Sequence, residues 1–308
     1  MSRRAGGLLV LGWHNVEGSW CFPSRPGAGV GGLERQLRLL RRLTNVVALD
    51  GALAALAEGR PLPRRAVALT FDDGYADQLQ LAAPLLERLG LPATFFLVPG
   101  LLSRTVAPWW ETLGWAFSAA RRPSLTWHDQ NWAVSDPSRR QICFAAIADR
   151  LKNLDQAGRE LEVGALIERL DPSGDPPPDA LFLDWSGADQ LARRGFTIGS
   201  HSLRHAILTR EGTEEQRSDL AASRRQLEQR LRIPVRLLAY PNGTRRDYDD
   251  ATVAAARAAG YHFAVTTLDG WNRPTTPPYE VRRFLVEPDK GGMDLAVTAV
   301  RAARYRLG

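Results

Sequence analysis

Apolar residues recur along this chain with two different periods. Short strand-like runs, several almost wholly apolar, stand at Leu8–Trp13, Ala66–Phe71, 93–98, 195–200, 235–239, 263–266 and 281–286, with a shorter one at 45–49. Apolar runs of this length without polar alternation mark parallel strands buried on both faces. Between them, apolar residues return every three to four positions at 33–43, 52–58, 77–89, 188–194, 214–231 and 249–259. These stretches predict amphipathic helices, with Gly90 and Pro92 closing the one at 77–89. Strand and helix alternate with short links, which predicts an α/β fold on a parallel sheet or barrel. A last helix is expected at 295–304.

The alternation loosens between residues 101 and 184. Trp109, Trp110, Trp115, Trp127 and Trp132 fall there, with helical patterns at 139–151 and 160–170 and a proline-rich linker at 171–179. The region reads as an insertion within one domain spanning 1–308, forming a cap or side wall of a cleft. Its tryptophans suit stacking on sugar faces, or equally the packing of the insertion's own small core.

The chain of 308 residues, 44% hydrophobic, has room for one large α/β domain or two small ones. Cys21 and Cys143 are too few for a disulfide framework or a thiolate metal site. The net charge of +6 comes almost entirely from arginine. Those arginines are scattered, without the dense stripe that nucleic acid requires. The apolar run at Leu8 is too short for a secretory signal core, and no stretch approaches a transmembrane helix in length. A cytoplasmic location is therefore expected, with peripheral membrane association left open.

Two clusters carry chemistry. Thr70-Phe71-Asp72-Asp73-Gly74-Tyr75 places adjacent carboxylates where a strand ends, the edge at which α/β proteins hold their sites. The two Asp residues can take different roles there, or simply cap the helix that follows. Gly199-Ser200-His201-Ser202-Leu203-Arg204-His205 sets two of the five histidines four apart at another strand end. If a helical turn begins at His201, both imidazoles point the same way. Two histidines and one carboxylate form the ligand pattern of a catalytic zinc or similar divalent ion, leaving the other carboxylate as a base. A third motif, residues 27–32, matches the spacing G-x-G-x-x-G, but prolines rather than a strand precede it. A dinucleotide-dependent oxidoreductase is thus a weaker alternative.

The T-F-D-D-G-Y and H-S-x-x-H blocks resemble the first two motifs of the polysaccharide deacetylases, carbohydrate esterase family 4 with its NodB-homology domain. Leu238-Ala239-Tyr240-Pro241-Asn242-Gly243 stands in the place of the third motif and is similar to the AYP-x-G form of one branch. The resemblance implies a distorted (β/α) barrel of about seven strands and metal-dependent N-deacetylation of an amino sugar. The substrate would be a polysaccharide, a lipid-linked sugar or a small glycoside. It implies Asp73, His201 and His205 as ligands of a divalent metal, zinc first, and Asp72 as general base. The main-chain N–H of Asn242 would serve the oxyanion, and Tyr240, Pro241 and Trp271 would meet the substrate, Trp271 as a wall for the acetyl methyl. The family's third-motif Arg is Ala239 here, so Arg283, or its neighbour Arg282, would support the base. His14 would protonate the departing amine, or else only line the barrel mouth. A non-catalytic glycan-binding relative is the other alternative.

Overall fold

The computed structural model describes residues 7–23 and 28–286. The helix expected at 295–304 and Gly27 of the glycine-rich motif lie outside the described residues. The strands are, in chain order, β1 Leu8–Trp13, β2 Asn45–Val46, β3 Ala66–Phe71, β4 Thr94–Leu97, β5 Ser124–Trp127, β6 Gln130–Ala133, β7 Thr197–Ser200, β8 Leu237–Ala239, β9 Phe263–Val265 and β10 Phe284–Leu285. Strands β5 and β6 form a separate antiparallel hairpin. The others run parallel in the order β10-β1-β3-β4-β7-β8-β9, with β2 beside the first half of β3. Near its last strand the sheet curls round on itself. Val281 bridges Val265 of β9, and Phe284, three residues on, pairs with Leu11 of β1. One short segment thereby touches both edges, giving the expected distorted barrel.

Side-chain alternation along the strands sorts residues between lumen and outer layer. Leu8, Val10, Ala66, Ala68, Phe96, Leu237, Ala239, Val265 and Val281 cluster with Leu49, Ala52, Leu53 and Leu56. The last four lie on the helix Leu49–Ala57, which plugs the lumen from below. The alternate residues Leu9, Leu11, Val67, Leu69, Phe95, Leu238 and Ala264 pack outward, in the core they share with Leu37, Leu86, Leu191 and Leu227 of the outer helices. Each fully buried side chain of this size stabilises by about 1.5–3 kcal/mol. The inward positions turn polar only towards the far end, at Thr70, Asp72 and His201. Glycine makes room there: a Cβ at Gly12 would lie 2.9 Å from Arg283 Cδ, and one at Gly199 2.4 Å from the Phe96 ring.

Two elements differ from expectation. The glycine-rich stretch is the start of a helix, Gly29–Leu43, and Glu17 accepts from the Val30 N–H at 2.9 Å. A helix end capped by the chain's own carboxylate repels phosphate, which removes the basis of the dinucleotide alternative. The helix expected at 77–89 contains a π-helical turn, Gln78–Ala82, before the α-helical Ala83–Leu89. The wider turn coincides with the fully buried Gln78, whose amide is tied to the neighbouring strand ends.

Within residues 101–184, the helices Trp109–Ser118, Pro137–Leu151 and Gln156–Leu170 enclose the β5–β6 hairpin. They share a core of their own that includes Trp115, Phe117, Trp127, Ile147, Leu151 and Leu166. Asp136 and Asp155 cap two of these helices through their carboxylates. Among the described residues no helix is long and apolar enough to cross a membrane.

Candidate active site

The chain turns sharply after β3, with Asp73 at φ 73° and Gly74 at φ 78°. Left-handed backbone at a non-glycine residue costs about 1–3 kcal/mol, a strain that functional sites characteristically hold. The turn sends the two adjacent carboxylates to different partners. Asp72 meets Arg283 in a bidentate pair, with Nη1 donating to Oδ1 at 2.7 Å and Nη2 to Oδ2 at 2.6 Å. Arg283 also donates to Thr70 Oγ1 at 3.1 Å and to the Thr266 carbonyl at 3.3 Å, and it is 0% exposed. Burial pushes the Asp72 carboxyl up, but the Arg283 guanidinium, together with His201 and His14, holds the group below the usual carboxylate range. Strand alternation faces Arg283 inward; Arg282 instead donates to the Asp269 carbonyl at 3.1 Å.

Asp73 faces the histidines. His201 Nε2 and His205 Nε2 both lie 3.3 Å from Asp73 Oδ1. Neither contact has hydrogen-bond geometry, so this buried oxygen has no hydrogen-bond partner among the described residues. His201 Nδ1 lies 2.8 Å from the Ala239 carbonyl; donating its proton there leaves Nε2 with a lone pair aimed at the carboxylate. Lone pairs converging on one point in a buried site repel one another unless a cation stands among them. The donor set of Asp73, His201 and His205, all within 4.8 Å, therefore fits a divalent metal ion. Burial opposes the charge on Asp73, yet the two imidazoles hold its carboxyl well below the ordinary range. Burial lowers the pKa of His205, whereas at His201 Asp73 and Asp72, with the Ala239 carbonyl, together outweigh burial and raise it.

The expected helical turn after His201 is absent. The His201 N–H donates to the Leu97 carbonyl and continues the strand ladder, after which Ser202 and His205 take left-handed φ values of 62° and 54°. Asp219, on the helix Thr213–Leu231, fixes the loop by accepting from the Leu203 N–H at 2.7 Å. The histidines meet because an extended chain doubles back, not because they share a helix face.

Several further residues flank the cluster, and of these Gln78 and Glu111 give no sequence signal of a site. Trp110 lies against His205 with ring centroids 4.4 Å apart. The Gln78 side-chain amide donates to the His14 carbonyl at 2.7 Å and to the Asp72 carbonyl at 2.5 Å, fastening the ends of β1 and β3 together. Glu111, in a Trp-rich stretch where no helix is expected from the sequence, is buried and accepts from the Tyr75 hydroxyl at 2.7 Å. His14 stacks on Phe22 at 5.3 Å.

The remaining candidates divide. Asn242, at φ 56°, follows β8 three residues after the Ala239 carbonyl that meets His201. Its own carbonyl accepts from Thr267 Oγ1 at 2.7 Å. Pro241 beside it is buried. Tyr240 is turned into the outer core, stacked on Tyr248 and donating to the Tyr279 carbonyl at 3.2 Å, because its parity is opposite to that of Ala239. Its side chain does not reach the cluster. Nor does Trp271. The antiparallel bridge between Leu8 and Asn272 pins it at the beginning of β1, the opposite end of the strand from His14. Trp115 and Trp127 pack the insertion's own core.

The polysaccharide deacetylase family profile matches residues 59–264. Among curated relatives, the Bacillus subtilis protein YxkH, which carries a polysaccharide deacetylase name, is 21% identical over 237 residues, 77% of this chain and 57% of that protein. The poly-β-1,6-N-acetyl-D-glucosamine N-deacetylase of Escherichia coli K12 is 32% identical over 90 residues, 29% of this chain and 13% of that protein. The chain thus spans little more than half the length of the first relative and a small part of the second. Among solved structures, the deacetylase PplD of Streptococcus pyogenes, in complex with acetate, aligns with a TM-score of 0.64 at 16% identity. That alignment covers 96% of this chain and 98% of PplD, a likeness of fold.

Proposed function

The chain belongs to the polysaccharide deacetylase family, and from that membership we propose that it hydrolyses the acetamido group of an N-acetylated amino sugar, releasing acetate and a free amine. The observation that carries the proposal is the separation of two adjacent carboxylates, Asp72 paired with Arg283 and Asp73 facing His201 and His205. In this reading Asp73, His201 and His205 hold a divalent ion, zinc first among those that nitrogen and oxygen donors accept. When bound, such an ion polarises the amide carbonyl and lowers the pKa of water to about 7.

The chain's own residues do the rest. Asp72, kept ionised by Arg283, takes the proton of the attacking water. The main-chain N–H of Asn242 donates to the oxygen on which charge develops. Amide nitrogen leaves only as a protonated amine, and His14, beyond the end of β1, delivers that proton. Arg283 stands in for the guanidinium that Ala239 cannot supply, as the AYP-x-G form of the third motif requires. Residues 101–184 wall the cleft within one catalytic domain, with Trp110 covering His205. The poly-N-acetylglucosamine deacetylase relative makes an N-acetylglucosamine polymer the first substrate to try.

Metal content and acetate release from N-acetylglucosamine oligomers test the proposal in wild type, Asp72→Asn and His201→Ala. We expect one ion in wild type and Asp72→Asn, none in His201→Ala, and acetate from wild type alone. A wild type that takes up no ion after reconstitution with zinc would overturn the assignment. One that binds the ion but releases no acetate points to the glycan-binding alternative.

A further inference from the structure

The helix Trp109–Ser118 of the insertion packs against the short loop that follows His14. Its Glu111 is 0% exposed, accepting from Ser19 Oγ at 2.7 Å and from the Cys21 N–H at 3.1 Å. Glu111 also accepts from the hydroxyl of Tyr75, two residues beyond Asp73. One turn along the helix, Gly114 admits the loop backbone: a Cβ there would lie 2.9 Å from the carbonyl carbon of Trp20. The loop closes on itself, with the Ser19 N–H donating to the Phe22 carbonyl at 2.9 Å and the Phe22 N–H to Ser19 Oγ at 3.1 Å.

A buried carboxylate persists only where donors surround it. Here the donors come from a surface loop and from the turn that carries Asp73, so one charge locks the insertion, the loop and the site together. What the locked loop turns outward is apolar. Trp20 and Phe22 are each 37% exposed, and the Phe22 ring lies nearly parallel to that of His14, at an interplanar angle of 20°. Large aromatic rings held half in water at the edge of a site suit a ligand with an apolar face, and the C–H face of a pyranose is such a surface.

We propose that Phe22 stacks on the sugar ring next to the one bearing the reacting acetamido group, and that Glu111 is the residue that positions it. The proposal rests on the deacetylase reading and adds a subsite to it. Phe22 approaches the cluster by way of His14, so the ring it receives is a neighbour of the reacting sugar. A monosaccharide cannot reach it.

Steady-state kinetics with a β-linked N-acetylglucosamine tetramer and with free N-acetylglucosamine test this, on wild type, Phe22→Ala, Phe22→Trp and Glu111→Gln. Leu161→Ala, at an exposed apolar position of the insertion, is the control. In Phe22→Ala the tetramer KM rises about threefold to tenfold more than the monosaccharide KM, the scale of an aromatic stack, whereas any effect passed through His14 changes kcat alike for both sugars. Phe22→Trp restores the wild-type KM, and Glu111→Gln raises the tetramer KM without loss of metal. An unchanged tetramer KM in Phe22→Ala, or an equal rise for the monosaccharide, overturns the subsite and leaves the reaction standing. An unchanged KM in Glu111→Gln overturns the positioning role. If wild type releases acetate from neither sugar, the reaction reading falls. Calorimetric binding of the tetramer then decides the subsite alone: weaker binding by Phe22→Ala supports it, and equal or absent binding removes it.

Discussion

Asp72 and Asp73 are neighbours in the chain and almost equally buried, 2% and 3% exposed, and the molecule surrounds them in opposite ways. Both oxygens of Asp72 receive a guanidinium proton, and Arg283 is itself held by Thr70 and the Thr266 carbonyl. Asp73 Oδ1 faces two imidazole nitrogens and has no hydrogen-bond partner among the described residues. A buried charge satisfied by the protein is a fixed reagent, unable to rotate or to trade partners. One left among lone pairs has room for a cation, which would complete it. The comparison distinguishes the two carboxylates by their surroundings alone, as the proposed roles require.

The most disruptive way to break it is Arg283→Leu. The substitution leaves Asp72 buried and uncompensated, so we expect a stability loss of about 3–5 kcal/mol by urea unfolding. Acetate release should fall at least about 10²-fold. Metal content should not change, since the Asp73 side keeps its donors. The pH dependence has a definite sign. With Arg283 present the Asp72 pKa lies below the ordinary value near 3.9, so its stabilisation is present at neutral pH and is lost as pH falls through the lowered pKa. In Arg283→Leu the guanidinium no longer opposes burial, so this acid loss of stability should shrink or reverse, with stability gained as pH falls. Superimposable unfolding midpoints from pH 3 to 7 would contradict this account of the pair.

A chelator sharpens the comparison from the other side. Removing a ligand present at about 100 times its Kd costs the native state about 2.7 kcal/mol. The Tm of wild type should therefore drop by several degrees on chelation, that of Asp72→Asn likewise, and that of His205→Ala not at all. The smallest effect concerns Asp77, an intermediate case. It accepts from the Val16 and Glu17 N–H groups at 2.7 and 2.8 Å, while its Oδ1 has no hydrogen-bond partner among the described residues. Burial pushes its pKa up to about 6. The raised value means that its stabilising effect is complete below the ordinary carboxylate pKa and is lost as pH rises through about 6. Asp77→Asn should flatten the dependence of Tm on pH between about 4 and 6; parallel curves for the two proteins would exclude the effect.

The barrel was legible because its strands are apolar runs whose alternation survives in the folded molecule, as Leu8 and Val10 inward against Leu9 and Leu11 outward show. The same alternation decides between Arg282 and Arg283, which the sequence leaves open. Where local rules are broken, legibility ends. Ser202 and His205 adopt left-handed φ that neither residue type announces, so a helical spacing misleads although the pair does converge. Trp271 was misplaced because strand register, not proximity to a motif, determines which end of the barrel a residue reaches. Glu111 gives no sign of itself, since a glutamate among aromatics reads as solvent-facing until its donors from Ser19, Cys21 and Tyr75 are seen.

The pair between Asp72 and Arg283 joins residues 211 positions apart. A ribosome adding about 5–20 residues per second delivers the carboxylate many seconds before the guanidinium that neutralises it. Until then the nascent Asp72 remains hydrated, because a lone carboxylate resists transfer into an apolar lumen. Closure of the barrel by the segment from Val281 to Leu285 and completion of the reagent are thus one event. The order of synthesis makes the pairing of Asp72 wait for closure of the barrel.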